Sequence, residues 1–213
     1  MNTTIKTVFA TAMTAVVLTS SAFTTFAKEN EKNPLSLITS TSSLNMIRVK
    51  GNVKVYLIQG AKEDIKVITD QQGEKVSLKR EGKKLLISST EQNRAIVYLT
   101  VKDLIRIDAS DNAIVKSSGD FNLTNLQIFL QDDAQVNMDV KAQDVYTVIK
   151  DGSSLKLSGS TARLTSVKDG ASKLNTNNFS ATSTTASAVP LTTKADLDTQ
   201  FADTLNFVSL INR

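Results

Sequence analysis

Cysteine, histidine and tryptophan are all missing from this chain of 213 residues. Without cysteine there is no disulfide, so packing and backbone ladders alone must hold the fold. Without histidine and cysteine together, the commonest zinc ligands and the usual bases of acyl transfer are gone, which removes most hydrolase mechanisms. Aromatic side chains with a polar handle are scarce: Tyr56, Tyr98 and Tyr146 are the three tyrosines. No window between residues 44 and 107 has the apolar spacing of a useful helix. Charge of one sign is not in large excess either, since 25 basic and 21 acidic residues leave a net of +4. The basic residues are spread out and not interleaved with stacking aromatics, so nucleic acid is not an expected partner. The densest basic run, Lys79-Arg80 with Lys83-Lys84, brackets Glu81-Gly82 and reads as a solvated hairpin tip.

What is present begins with an export signal. Lys6 supplies a small positive start and residues 8–18 an apolar stretch too short to span a bilayer. Thr25-Phe26-Ala27 is a cleavage triplet, with Ser20-Ser21-Ala22 a second choice. No cysteine follows, so a lipid-modified end is not expected. Residues 1–27 are therefore expected to be a signal peptide, and 28–43, polar and interrupted by Pro34, a flexible leader. The expected location is the periplasm or the cell surface and medium, with no stable membrane insertion after cleavage. The remainder is long enough to bury a core.

From residue 44 to 107 the pattern is β throughout. Val53, Val55 and Leu57 alternate with Lys54, Tyr56 and Ile58, which points one face inward. Ile65-Lys66-Val67, Val76-Ser77-Leu78, Leu85-Leu86-Ile87, Val97-Tyr98-Leu99-Thr100-Val101 and Leu104-Ile105-Arg106-Ile107 follow. Turns at Gln71-Gln72-Gly73 and Glu81-Gly82 have the short spacing of antiparallel hairpins.

Beyond residue 107 a weak repeat takes over. Asp111-Asn112-Ala113-Ile114-Val115, Asp132-Asp133-Ala134-Gln135-Val136, Asp151-Gly152-Ser153-Ser154-Leu155 and Asp169-Gly170-Ala171-Ser172-Lys173 recur at spacings of 21, 19 and 18 residues. A period near 20 built of strand and turn marks stacked units. Alternation places Ala113 and Val115, Ala134 and Val136, and Ser153 and Leu155 on an inner face. A second apolar set precedes each Asp: Leu126 and Ile128, Val145 and Val148, Leu164 and Val167. Lys173 falls where an apolar residue is expected, and a bulge that turns Leu174 inward would repair the register. A fifth unit is expected over residues 185–189, with Ser187, Val189 and Leu191 inward. The final segment regains bulk with Phe201, Leu205, Phe207, Val208 and Leu210, and is expected to cap the open end. The expected fold is all-β: a right-handed parallel β-helix, or solenoid, with an N-terminal β-sheet region and a C-terminal cap. The expected organisation is a β domain over 44–192, comprising the sheet region 44–107 and the solenoid 108–192, then the cap over 193–213.

The strand Gly51-Asn52-Val53-Lys54-Val55-Tyr56-Leu57-Ile58-Gln59-Gly60, followed by Ile65-Lys66-Val67, Leu85-Leu86-Ile87, Val97-Tyr98-Leu99-Thr100-Val101 and Leu104-Ile105-Arg106-Ile107, resembles the putative auto-transporter adhesin head domain, the GIN domain. The resemblance covers residues 44–191. It departs at Asp108-Ala109-Ser110-Asp111-Asn112-Ala113, which lacks the glycine usual in the family after the Leu-Ile strand. The resemblance implies a β-helical fold in an exported bacterial protein and carries over no catalytic residue.

Candidate chemistry is sparse. Asp111, Asp132, Asp133, Asp151 and Asp169 would form a ladder up one edge, either to hold calcium between units or to open turns by bonding the backbone two residues on. Converging carboxylates for a polysaccharide lyase or hydrolase are not evident, although Arg106 and Arg163 could place a cation near Asp108 or Asp169. For a glycan without catalysis, Tyr56 alternates outward and is the candidate platform. No catalytic residue and no cofactor is expected, and the binding residues named are Tyr56, Arg106 and Arg163. The expected role is a non-enzymatic, adhesin-like interaction module whose flat polar faces meet a protein or glycan at the cell envelope. The alternatives are a polysaccharide-acting enzyme and a structural envelope protein without a ligand.

Overall fold

The computed structural model describes residues 43–69 and 75–188. The expected signal peptide, all of the leader but Ser43, the inward Val189 and Leu191, and the cap over 193–213 lie outside the described residues. The described residues are all-β, and their twelve strands join in one curled sheet. Among them no helix is long and apolar enough to cross a membrane.

Alternation sets the strands. In β1 (Met46–Gly51), β2 (Val53–Gln59), β5 (Lys84–Ser89) and β6 (Ala95–Val101), every second residue is buried: Ile47 and Val49, Val53 to Leu57, Leu85 and Ile87, Val97 and Leu99. The expected hairpin pairing of this region holds in part only. β4 (Ser77–Glu81) does turn back on β5 around Gly82, and β3 (Asp64–Ile68) runs antiparallel to β6. The central strands instead pair in parallel: β1 with β5 and with β7 (Arg106–Ser110), and β2 with β6 and with β8 (Ile114–Ser117). Apolar alternation is the same for either strand direction, so the sequence pattern could not separate the two. The sheet passes without a break from β1 and β2 into the repeat.

There, β9 (Phe121–Leu130), β10 (Gln135–Ile149), β11 (Ser154–Lys168) and β12 (Lys173–Ala188) lie in parallel register, layer on layer. The ladders skip Thr124, Gln143, Ala162 and Thr182, and each layer bends at that column. Thr161 Oγ1 bonds the carbonyls of Gln143 (3.0 Å) and Arg163 (3.1 Å) across the bend. Along each layer we call β6, β2, β8 and the start of β10 to β12 the first side, the stretch around residues 140–142 the second, and the stretch leading to the next turn the third. The inward residues Val115, Val136, Leu155 and Leu174 form one column, and Ala113, Ala134 and Ser153 are fully buried beside it.

Three details differ from expectation. Leu174 does stand beside Leu155, but the irregularity in β12 comes afterwards, between Asn175 and Asn178. Within the described residues, 185–188 do not open a fifth layer. Thr185 to Ala188 are the end of β12 and pair with Thr165 to Lys168, with Ser187 beside Val167. The inner column after Leu126, Val145 and Leu164 is Ile128, Thr147 and Ser166, with Ala186 in register but exposed, not Ile128, Val148 and Val167. Thr147-Val148-Ile149 offers an apolar surface to both faces, and a one-residue slip exchanges them.

That column leaves Thr147 Oγ1 and Ser166 Oγ buried on adjacent strands with no hydrogen-bond partner among the described residues. A buried unpaired hydroxyl carries its desolvation penalty without return. Thr147→Val, which keeps the shape, is expected to raise stability by about 1 kcal/mol. A thermal melt checks it; a lower Tm would show that the hydroxyl has a partner in solution.

Candidate functional site

The repeat acids act first as turn residues. Asp111, Asp132 and Asp151 have left-handed backbone, with φ of 57°, 60° and 58°. Aspartate tolerates that region because its short polar side chain satisfies nearby backbone. The carboxylates also tie layer to layer: Asp132 Oδ2 accepts from the Asp111 amide (3.1 Å) and Asp169 Oδ2 from the Asp151 amide (2.6 Å). Asp169 Oδ1 accepts in addition from the amides of Ala171 and Ser172 and from Ser172 Oγ. Among the described residues, no three acids gather into a group fit to hold a metal ion.

Of the repeat acids Asp169 is shifted down, as is Asp144 outside the ladder. Burial pushes the Asp169 carboxyl up, but its bonds from Ser172, Asp151 and Ala171 together outweigh that and leave it below the ordinary value. Asp144 is held low by its hydrogen bond from Arg163, against a smaller opposing effect of burial. Their contribution to stability is full above the ordinary carboxylate value and is lost as pH falls through their depressed folded values. Melting temperature should therefore be flat from neutral pH down to about 5 and then fall. Asp169→Asn should flatten part of that acid slope, and melts across pH 7 to 2 read it directly.

The arginines are structural in their contacts. Arg106 is buried on the third side; its Nε meets Asp108 Oδ1 at 2.6 Å and its guanidinium lies 4.0 Å from the Phe129 ring centroid. Arg48 Nη2 reaches the same Asp108 at 3.2 Å. Arg163, exposed, forms a fork with Asp144 (Nη2–Oδ2 2.9 Å) rather than meeting Asp169. Neither Arg106 nor Arg163 stands in the row paired with Tyr56.

Tyr56 stands half-buried on the outer face of β2. Its ring stacks on that of Tyr98 of β6, with centroids 5.0 Å apart and planes 15° from parallel, and Lys54 Nζ lies 4.9 Å from the Tyr56 centroid. Parallel register produces the pair, because Val55-Tyr56-Leu57 and Val97-Tyr98-Leu99 are the same tripeptide side by side. That shared tripeptide was the signal in the sequence for Tyr98, which reading Tyr56 alone missed. The register extends the row across the first side as Lys66, Tyr98, Tyr56, Lys116, Asn137, Lys156 and Asn175. The row beside it reads Ile68, Ile96, Lys54, Ile114, Gln135, Ser154 and Lys173. These two rows hold five lysines and no acid, and none of the five is in an ion pair among the described residues.

The second side is a shallow open groove of about 950 Å³, lined by Gln59, Asn122, Lys141, Ser160 and Ser180 among others. Gln59 closes its first end by pairing with the Asn122 backbone like an extra strand, accepting from the amide at 2.8 Å and donating to the carbonyl at 3.0 Å. Lys141 Nζ lies 3.5 Å from Asp120 Oδ2. The groove gathers amides, hydroxyls and the charged side chains of Lys102, Asp103 and Lys141, an arrangement suited to hydrogen-bonding an extended ligand.

Solved structures share this fold at low identity. A putative adhesin from Bacteroides fragilis superposes with a TM-score of 0.62 at 16% identity, covering 74% of this chain and 77% of its own. A putative adhesin from Parabacteroides distasonis gives 0.57 at 14%, covering 73% and 76%. A putative lipid binding protein from the same organism gives 0.53 at 12%, covering 73% and 78%. No curated protein matches the chain. The family model described as putative auto-transporter adhesin, head GIN domain, matches residues 43–199, and the chain belongs to that family.

Proposed function

We propose that this chain is an exported, non-enzymatic adhesin-like module that holds a protein or glycan partner at the cell envelope through its outer faces. The observation that carries the reading is the contrast between its acids and its surfaces. The repeat acids are dispersed along turns, Asp132 and Asp169 being bonded to backbone, while two sides carry rows of polar side chains across successive layers. Many weak polar contacts on a rigid face give low affinity for each copy and gain strength through several copies. Family membership and the adhesin names of similar structures support the same reading. In it, residues 1–27 direct export and are removed, and the parallel layers wind as a right-handed solenoid closed at its far end by residues 193–213.

Capture of envelope fractions on the immobilised chain, followed by a glycan array, tests the proposal. Saturable retention of an envelope component is expected. Turnover of any polymer, or no retention from any fraction, would overturn it.

A further inference from the structure

We infer that the first side, with Tyr56 and Tyr98 at its centre, is a binding face for an extended acidic polysaccharide lying across the strands. The inference rests on the adhesin-like reading above and adds to it a site and a ligand class. Its basis is the two rows already described, five lysines and two tyrosines without an acid, on strands held in fixed register.

The rows cross seven strands at about 4.8 Å each, so they run for roughly 29 Å. A linear polymer can follow a straight track of that length, whereas a small molecule would use a fraction of it. Lysine is a compact point charge on a flexible stem, which suits carboxylates recurring along a chain without demanding one geometry. Asp64 and Asp139 lie on other rows of this side, so the lysine rows keep their net positive charge.

The tyrosines decide between classes of polyanion. The rings cover one face of each other, and Lys54 lies against Tyr56, which leaves little free ring face at Tyr56. What they offer outward are edges and phenol hydroxyls, which donate to and accept from sugar hydroxyls. A single-stranded nucleic acid would need free ring faces for its bases. A membrane surface would need several protruding apolar side chains; of the three isoleucines in the row Ile96 and Ile114 are half-buried, and Ile68, at its end, is exposed. A polyhydroxylated chain with regular negative charge fits both the cations and the hydroxyls.

The test is biolayer interferometry of the chain against sodium polygalacturonate, neutral dextran, polyphosphate and phosphatidylglycerol vesicles. Polygalacturonate is expected to bind, and to weaken several-fold when salt is raised from 50 to 300 mM, as screening requires. Lys116→Glu with Lys156→Glu should weaken it at least ten-fold, and Tyr98→Ala several-fold. Lys50→Glu with Lys83→Glu, the same charge change away from this side, should leave it within two-fold. Lys116→Gln with Lys156→Gln, a milder pair, covers the case in which charge reversal disturbs folding.

Equal loss in both glutamate pairs, or polyphosphate binding as tightly without sensitivity to Tyr98→Ala, would reduce the face to unspecific charge and overturn the inference. So would preference for the vesicles or for dextran. If the first-side variants still capture the envelope component, the acidic-glycan inference falls while the adhesin-like reading stands. If the unaltered chain captures nothing, that reading falls first.

Discussion

Gly159→Ala is expected to destabilise the protein by about 3 kcal/mol or more and to lower Tm by roughly 10 °C. Gly159 has φ of 103°, a region that side chains rarely enter. A Cβ built there would stand 2.2 Å from the Val140 carbonyl oxygen and 2.9 Å from its carbon. These are atoms of the neighbouring strand, and Val140 is paired in register with Gly159 itself. Relief therefore requires moving β10 and β11 apart where both are held by ladders, rather than turning a flexible side chain. Phe179 stands in register across Gly159 on β12, as an aromatic neighbour commonly does beside a strand glycine. Gly170→Ala is the control. No atom lies within 4 Å of its Cβ position and its backbone is ordinary, so that change should alter Tm little. If Gly159→Ala melts within two degrees of the parent, about the effect of a mild surface change, the close approach of β10 and β11 is wrong.

Phe121→Ala should have a comparable effect, a loss of about 3–5 kcal/mol in urea unfolding. Phe121 is fully buried and heads the largest such side chains. It opens the column that continues through Val140 to Gly159, so the layer after next contributes no side chain that could move into the vacated space. Cavities that cannot collapse are the expensive ones. Phe121→Leu, which retains most of the volume, should recover the greater part of the loss. A loss below about 1 kcal/mol for the alanine variant would mean that the column repacks freely.

Much of this architecture was legible in the chain. Period-2 alternation gave away the strands, and the recurring aspartates gave away the turns, because both patterns follow from local geometry that any β layer must obey. The inner residues Val115, Val136 and Leu155 were readable for the same reason. The column through Thr147 and Ser166 was not, since Thr147-Val148-Ile149 fits either face and the choice is made by the strands on each side. Strand direction in β1, β2, β5 and β6 was hidden as well, because alternation has no polarity.

The candidate face shows the same division. Tyr56 was readable as an outward residue from its own strand. Its partnership with Tyr98, 42 positions on, and with Lys66, Lys116 and Lys156 arises only when the register brings six strands side by side. Along the chain those lysines are scattered and the net charge is mild; on the sheet they share one row, with Lys54 and Lys173 in the row beside it. By itself, then, the sequence determined an all-β chain without thiol or imidazole chemistry, its turn residues and most of its inward positions, because these depend on composition and on neighbours one or two residues away. Parallel pairing of β1, β2, β5 and β6, the polar column inside and the lysine–tyrosine face outside were decided by tertiary structure, because each depends on contacts between residues that only register makes adjacent.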